Sequence, residues 1–476
     1  MDIALLILIL VTGFYMAWNI GANDVANAMG TSVGSGALTL RHAVIIAAFL
    51  EFFGAFFFGS HVSKTLQNGI INPDVFSNDP RTLVYGMLAS LASAGIWLQA
   101  ASYYGWPVST THSIVGAIVG FGAVVGGAGA IHWKEVGFIV SSWMLSPILG
   151  GILGFYIFTF LRKRIFYALN PLEKALKYTP FIVFVVFSVL GMVLVFEGFH
   201  NLQLEFSWPA KLGLALSLGI VGAGLSYLAL KKIPPIKYEH AHPPYNPEAI
   251  ESLQKAAKHL KNFLSRSSGE AQYTGGLLLE EVNSLSNSLH TKRELSAKDM
   301  DQTHAQYSQV EKIFAYLQIV SACMMAFAHG ANDVANAIGP LSAAVAILTT
   351  GIFAVDAPVP TWALSLGGIG IVIGLATWGW RVIETIGKKI TELTPSRGFA
   401  AEFGAATTIV LASRLGLPVS TTHTLVGAVI GVGFARGLEA VNLTTTRDIL
   451  ISWVVTVPIG AILAIAVFFP LRAIFG

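Results

Sequence analysis

Twelve stretches of this 476-residue chain are long and apolar enough to cross about 30 Å of hydrocarbon as helices. They fall at roughly 3–20, 43–66, 82–104, 110–130, 136–161, 180–199, 209–230, 313–338, 361–387, 399–415, 422–440 and 448–473. None alternates apolar and polar residues, as the strands of a transmembrane barrel would. In lipid a helix satisfies its own backbone N–H and C=O groups, so the runs predict an all-α polytopic membrane protein. Composition agrees. Only 12% of residues are charged and mean hydropathy is +0.66, whereas soluble domains carry about a quarter charged. Of the 55 charged residues, 21 lie in 231–312. These figures exclude a soluble enzyme, a secreted disulfide protein and a disordered chain. Cys323 is the only cysteine, so no intrachain disulfide can form. A net charge of +3 gives no reason to expect a nucleic-acid partner. The first run lacks a basic leader and continues into a polar cluster, so it reads as a span rather than a signal peptide.

Orientation follows from the excess of Lys and Arg in cytoplasmic loops. With the N-terminus outside, the inner loops collect 16 bases, among them Arg162, Arg381, Arg397 and Arg436, against 6 on the outer side. Both termini are therefore expected outside, with 231–312 in the cytoplasm. That segment opens on Pro234, Pro235, Pro243, Pro244 and Pro247 and then reads as helical over 248–264 and 276–312. Its histidines, His240, His242, His259, His290 and His304, are not spaced as a compact metal site, and solvated surface positions explain them better.

The chain repeats itself. Gly21-Ala22-Asn23-Asp24-Val25-Ala26-Asn27-Ala28 recurs letter for letter at Gly330 to Ala337, and Pro107-Val108-Ser109-Thr110-Thr111-His112 recurs at Pro418 to His423. The motifs are 86 residues apart in the first half and 88 in the second. Ser142-Trp143 with Gly150 is echoed by Ser452-Trp453 with Gly460. The predicted division is a first repeat of about five spans at 1–161, two linking spans at 162–230, the hydrophilic segment at 231–312 and a second repeat at 313–476. The two copies of the first motif lie on spans one and eight, an odd number of spans apart, so the repeats are expected to run antiparallel. Inverted repeats place a transporter's substrate near mid-membrane, at broken helices.

Asn23, Asp24 and Asn27 lie within one helical turn, and so do Asn332, Asp333 and Asn336. Polar groups this deep in apolar spans are costly and face a cavity or a partner. Their oxygens suit a hard cation, and their amide N–H groups suit an oxyanion. Gly21 and Gly30 permit a helix break between them. Simple interhelical contact by Asn is the competing explanation, and two identical copies in inverted halves weigh against it. Each Pro precedes three hydroxyls, a pattern that opens a helix and can cradle an anion. Capping accounts for Ser109 and Ser420 but not for the four threonines. His112 and His423 read as packing residues, with pH sensing as the alternative. Glu51 and Glu402 are acids inside spans that do not copy each other. Pairing Gly59-x-x-Val62-x-x-Thr65 with Gly379-x-x-Val382-x-x-Thr385 sets Ile371 opposite Glu51. Each half thus holds one unpaired glutamate, a candidate cation ligand, proton carrier or partner of a buried base. With no Lys or Arg near the motifs, an anion must rely on dipoles, hydroxyls and co-bound cations.

Taken together, the doubled motifs and the central hydrophilic segment resemble the inorganic phosphate transporter (PiT) family over nearly all of the chain outside 231–312. The resemblance implies a non-enzymatic, secondary-active phosphate transporter of twelve spans with external termini, a homodimer in the plasma or inner membrane. It carries the family's functional acids onto Asp24, Asp333, Glu51 and Glu402 and its substrate hydroxyls onto Ser109, Thr110, Thr111, Ser420, Thr421 and Thr422. Asn27 and Asn336 are expected to assist phosphate. Asn23, Asp24, Asn27, Asn332, Asp333, Asn336, Glu51 and Glu402 are the expected sodium ligands. An acid of the third span in some members falls on Met87. The proton-coupled bacterial branch has a His where this chain has Asn23, so the chain resembles the sodium-coupled branch. No cofactor is expected beyond co-transported sodium. The alternatives are a proton-coupled or a sulfate symporter of the same fold.

Overall fold

The computed structural model describes residues 3–195, 206–232, 247–351, 358–383, 392–437 and 441–476. Among these there is no β-strand, only an isolated antiparallel bridge between Ile71 and Ile131. The first half holds α1 (Ile3–Gly34), α2 (Leu40–Phe58), α3 (Ser60–Asn68), α4 (Pro80–Tyr103), α5 (Thr110–Val125) and α6 (Trp133–Leu161). The linking pair is α7 (Pro171–Val193) and α8 (Trp208–Leu230), and α9 (Pro247–Leu264) follows in the hydrophilic segment. Then come α10 (Glu270–Asp333), α11 (Ala335–Thr350), α12 (Thr361–Trp378), α13 (Pro395–Arg414), α14 (Thr421–Arg436) and α15 (Leu443–Phe475).

Nine helices among the described residues are long and apolar enough to cross a membrane. They account for nine of the twelve runs. The remaining three, 110–130, 399–415 and 422–440, fall on α5, α13 and α14. Both α5 and α14 have 16 residues, which is about 24 Å and short of a full crossing. The other, α13, carries Arg397, Glu402 and Arg414. Each belongs to a helical hairpin, α4–α5 or α13–α14. Both hairpin turns close α4 or α13 in the same way. Gly105 and Gly416 each adopt φ of 68°, where a side chain would be strained. Trp106 N–H reaches back to Ala101 O at 2.9 Å, and Leu417 N–H to Ala412 O at 3.0 Å. This is the six-to-one bond of a Schellman stop.

Contacts show the direction directly. Asp24 on α1 lies beside His329 and Asp333 on α10, while Ser35, the residue after α1, meets Gln318 on α10 at 2.6 Å. Advancing along α1 is retreating along α10, so the two motif helices are antiparallel.

The halves interlock through glycines. A methyl group on Gly21 would strike the Ile371 carbonyl on α12, and one on Gly330 would strike the Glu51 carbonyl on α2. This is the Glu51–Ile371 correspondence read from the sequence. Gly427 and Gly431 of α14 abut the backbone of Pro147 and Gly151 on α6, while Gly116 and Gly120 of α5 abut Val457 and Ala461 on α15. Each repeat therefore ends on the other's hairpin. Side chains such as Ile7, Val11, Leu225, Val454 and Ile462 are more than half exposed, an arrangement that suits lipid rather than water.

Two expectations about the helices change. First, α1 runs unbroken through Gly21 and Gly30, because Gly21 serves close packing rather than a break. The interruption lies in the second copy alone, at Val334 between α10 and α11. There Pro340 has no N–H to offer the Asn336 carbonyl. Second, the helix expected to end near 312 continues into the motif as one element of 64 residues.

Candidate functional site

The two hairpin turns carry the hydroxyl triplets to the two motif helices, and the partners are crossed between halves. The Asn27 amide donates to Thr422 Oγ1 at 2.8 Å and lies 3.4 Å from Thr421 Oγ1. The Asn336 amide donates to Thr110 and Thr111 at 3.1 and 3.2 Å. Thr421 Oγ1 donates to Asp333 Oδ2 at 2.7 Å, and Thr422 Oγ1 lies 3.3 Å from Asp24 Oδ1. All of these side chains are buried. A second layer, formed within each half, holds the turns to the helices. Asn23 donates to Ser102 Oγ at 3.0 Å and to the Trp106 carbonyl at 3.1 Å. Asn332, with its amide turned to satisfy its neighbours, donates to the Val419 carbonyl at 3.1 Å and accepts from Ser413 at 2.9 Å.

Ser109 and Ser420 differ from the threonines. Each is an N-cap, accepting from the backbone N–H of His112 at 3.1 Å or of His423 at 3.2 Å. Their hydroxyls start α5 and α14, and the threonines face the carboxylates. Ser420→Ala is expected to lower stability by about 1 kcal/mol and to leave the apparent KM for phosphate nearly unchanged. Thr422→Val, measured beside it in uptake and thermal-shift assays, is expected to raise that KM. Equal KM effects in the two variants would count against this division of labour.

His112 and His423 meet edge-on with ring centroids 4.2 Å apart, and each lies against a tryptophan, Trp143 at 3.8 Å or Trp453 at 3.6 Å. Trp143 Nε1 donates to the Pro418 carbonyl at 3.0 Å. The third sequence echo thus forms the floor on which the two turns meet, with both histidines in packing roles.

His329 was not among the residues singled out from the sequence. It sits on α10 one turn before Asp333. Its Nε2 is 3.1 Å from Asp333 Oδ2 and 3.9 Å from Asp24 Oδ2, and its Nδ1 is 3.2 Å from Glu51 Oε1. Ligand atoms of Asp24, His329 and Asp333 all lie within 4.8 Å of one another. The signal was present: His329 immediately precedes the duplicated octapeptide, where the first copy has Ile20. Comparing only the identical letters passes over it. Of the roles weighed for Glu51, this contact fits that of partner to a buried base.

Glu402 lies elsewhere. It accepts from Ser32 at 2.6 Å, from Ser321 at 2.7 Å and from Thr31. Thr31 is seven residues beyond Asp24 on α1, about 10 Å along the axis. The structure gathers Asp24, Asn27, Glu51, Asp333, Asn336 and the threonines, and it sets Glu402 in a polar pocket of its own.

The arrangement has a chemical bias. Every amide nitrogen of Asn23, Asn27 and Asn336 is engaged, whereas their Oδ1 atoms are buried with no hydrogen-bond partner among the described residues. Asp24 Oδ2 is in the same condition. Buried oxygens left over in this way cost free energy unless something accepts them as ligands.

Comparison with known proteins shows the family. The model of the phosphate transporter family matches residues 20–464. The chain is 48% identical over 458 residues, 96% of its length and 70% of the relative's, to the chloroplastic inorganic phosphate transporter 2-1 of Arabidopsis thaliana. A solved structure, the sodium-dependent phosphate transporter, superposes with a TM-score of 0.78 at 37% identity, covering 99% of this chain and all of that one. On these matches, and with its doubled Asn/Asp motifs crossed against doubled hydroxyl triplets, the chain is a multi-pass membrane protein that belongs to the phosphate transporter family.

Proposed function

We propose that the protein is a sodium-coupled symporter for inorganic phosphate. The observation that carries this is the set of leftover oxygens. The Oδ1 atoms of Asn23, Asn27 and Asn336 and Oδ2 of Asp24 are hard ligands turned away from every amide donor, as a hard cation requires. The Asn336 carbonyl, freed by Pro340, adds another oxygen. Phosphate is taken by Thr110, Thr111, Thr421 and Thr422 at the starts of α5 and α14, where helix N-termini favour an anion. This shifts one expectation. The Asn27 and Asn336 amides hold the threonines in place, and their oxygens serve the cations.

Bound cations offset the negative charge of Asp24, Asp333 and Glu51, so phosphate enters only an ion-loaded site. Each net positive charge moved inward adds about 2.3 kcal/mol of drive per 100 mV. The 37% identity to a structure named the sodium-dependent phosphate transporter supports sodium as the ion. External termini, a cytoplasmic 231–312 and assembly as a homodimer belong to the same proposal.

One observation favours a second reading. His329 between Glu51 and Asp333 is a route for a proton, which would make the protein a proton-coupled symporter. Labelled phosphate uptake into proteoliposomes decides between them. Sodium coupling predicts concentrative uptake with an inward sodium gradient and none with a pH gradient alone. Equal uptake with and without sodium would sink it. Excess sulfate is expected not to compete.

A further inference from the structure

A second polar pocket lies away from the site, on the side of the molecule that carries the hydrophilic helices. It has a volume of about 260 Å³ and is built where α6 ends, α13 begins and α14 ends. Three guanidiniums converge there: Arg162, Arg397 and Arg436. Arg397 and Arg436 are mostly covered, with side chains 21% and 22% exposed, and both reach one exposed carboxylate, Glu392, at 3.2 and 3.4 Å. Arg162 stacks over the Tyr167 ring at 5.4 Å, and its Nε is buried with no hydrogen-bond partner among the described residues. Glu311 is occupied in capping α13, accepting from Ser396 N–H at 2.9 Å and Ser396 Oγ at 2.8 Å.

The cluster is not a by-product of the repeat. The first-half positions that correspond to Arg397 and Arg436 are Gly86 and Val125, and the Phe121 ring packs against Gly86 there. Three bases brought together around a cavity repel one another unless an anion joins them. Among the described residues Glu392 bridges two of the three, through its backbone carbonyl at 3.0 and 3.2 Å and through a carboxylate whose exposed contact is weak. Forked guanidiniums are the preferred partners of phosphate oxygens.

We propose that Arg162, Arg397 and Arg436 form a binding site for a phosphate-bearing anion, displacing Glu392 and tying both ends of the α13–α14 hairpin to α6. A lipid headgroup and free inorganic phosphate share this chemistry, and the proposal does not depend on which ion drives transport. Full-length protein in detergent is titrated with phosphatidylglycerol and phosphatidylcholine under native mass spectrometry, and separately with labelled inorganic phosphate. The Arg397→Gln/Arg436→Gln variant is expected to lose phosphatidylglycerol retention at least about tenfold (about 1.4 kcal/mol), with phosphatidylcholine unchanged. That result supports the site with a lipid as its source of phosphate. Loss of one phosphate equivalent with lipid retention intact supports the site with free phosphate as its ligand. Wild-type behaviour in both titrations overturns the proposal. If the double variant does not fold, Arg162→Gln undergoes the same titrations, and the same losses support the site while wild-type behaviour overturns it.

Discussion

Replacing Asp24 or Asp333 by Asn is expected to abolish sodium-dependent phosphate uptake while leaving the protein in the membrane. The substitution preserves shape, and both side chains are almost fully buried, so packing changes little. The electrostatics change a great deal. Asp24 Oδ1 accepts from the Asn27 amide at 3.1 Å, and Asp333 Oδ2 accepts from Thr421 at 2.7 Å and faces His329 at 3.1 Å. An Asn amide there removes one negative charge from the proposed cation site and sets donors against donors. Losing a buried charge-assisted contact costs on the order of 3 kcal/mol, or about 100-fold in ion affinity. Uptake of labelled phosphate, normalised to surface-labelled protein, checks this. Wild-type-like rates in both variants would remove the two aspartates from the mechanism.

The second large effect is structural. Gly330→Val is expected to prevent folding or to cost more than about 3 kcal/mol, and Gly21→Val is expected to do the same. In each case the added carbons meet a backbone carbonyl of a neighbouring helix, Glu51 or Ile371, and a carbonyl in a packed helix has nowhere to move. Membrane helices associate through such close approach, since lipid supplies no hydrophobic drive between them. Gly330→Val would also push Glu51 away from His329. Gly137→Ala on α6 is the control. Nothing lies within 4 Å of the added methyl, so the change should be neutral, or stabilising by up to about 1 kcal/mol through helix propensity. Detergent-solubilised yield and thermal unfolding separate the three. Normal Tm for both valine variants would show that the helices can move apart at these contacts at little cost.

One aspect of the site was legible from one-dimensional pattern. The duplicated octapeptide and hexapeptide named Asn27, Asp24 and Thr422 and their copies. The serine third in each hexapeptide was weighed as a cap but expected among the substrate hydroxyls, although capping is a local matter of one side chain and an N–H three residues on. His329 was not legible, since a single histidine in an apolar run has no pattern. What makes it notable is Glu51, which the chain brings beside it from 278 residues away in sequence. Glu402 was placed with the other acids because composition cannot separate two buried carboxylates. Only the packing of α13 against α1 and α10 shows that it answers to Thr31, Ser32 and Ser321.

Sequence alone therefore determined the apolar solvent, the all-helical class and the antiparallel pairing of the two motif helices. Each of these follows from run length, periodicity and the parity of a count, which are properties of the chain in order. Tertiary structure decided which amides hold threonines and which oxygens are left for an ion. It also decided that α5 and α14 stop short of a crossing, and that three arginines share a pocket. These depend on contacts between residues hundreds of positions apart, where distance and direction carry the chemistry and sequence order does not.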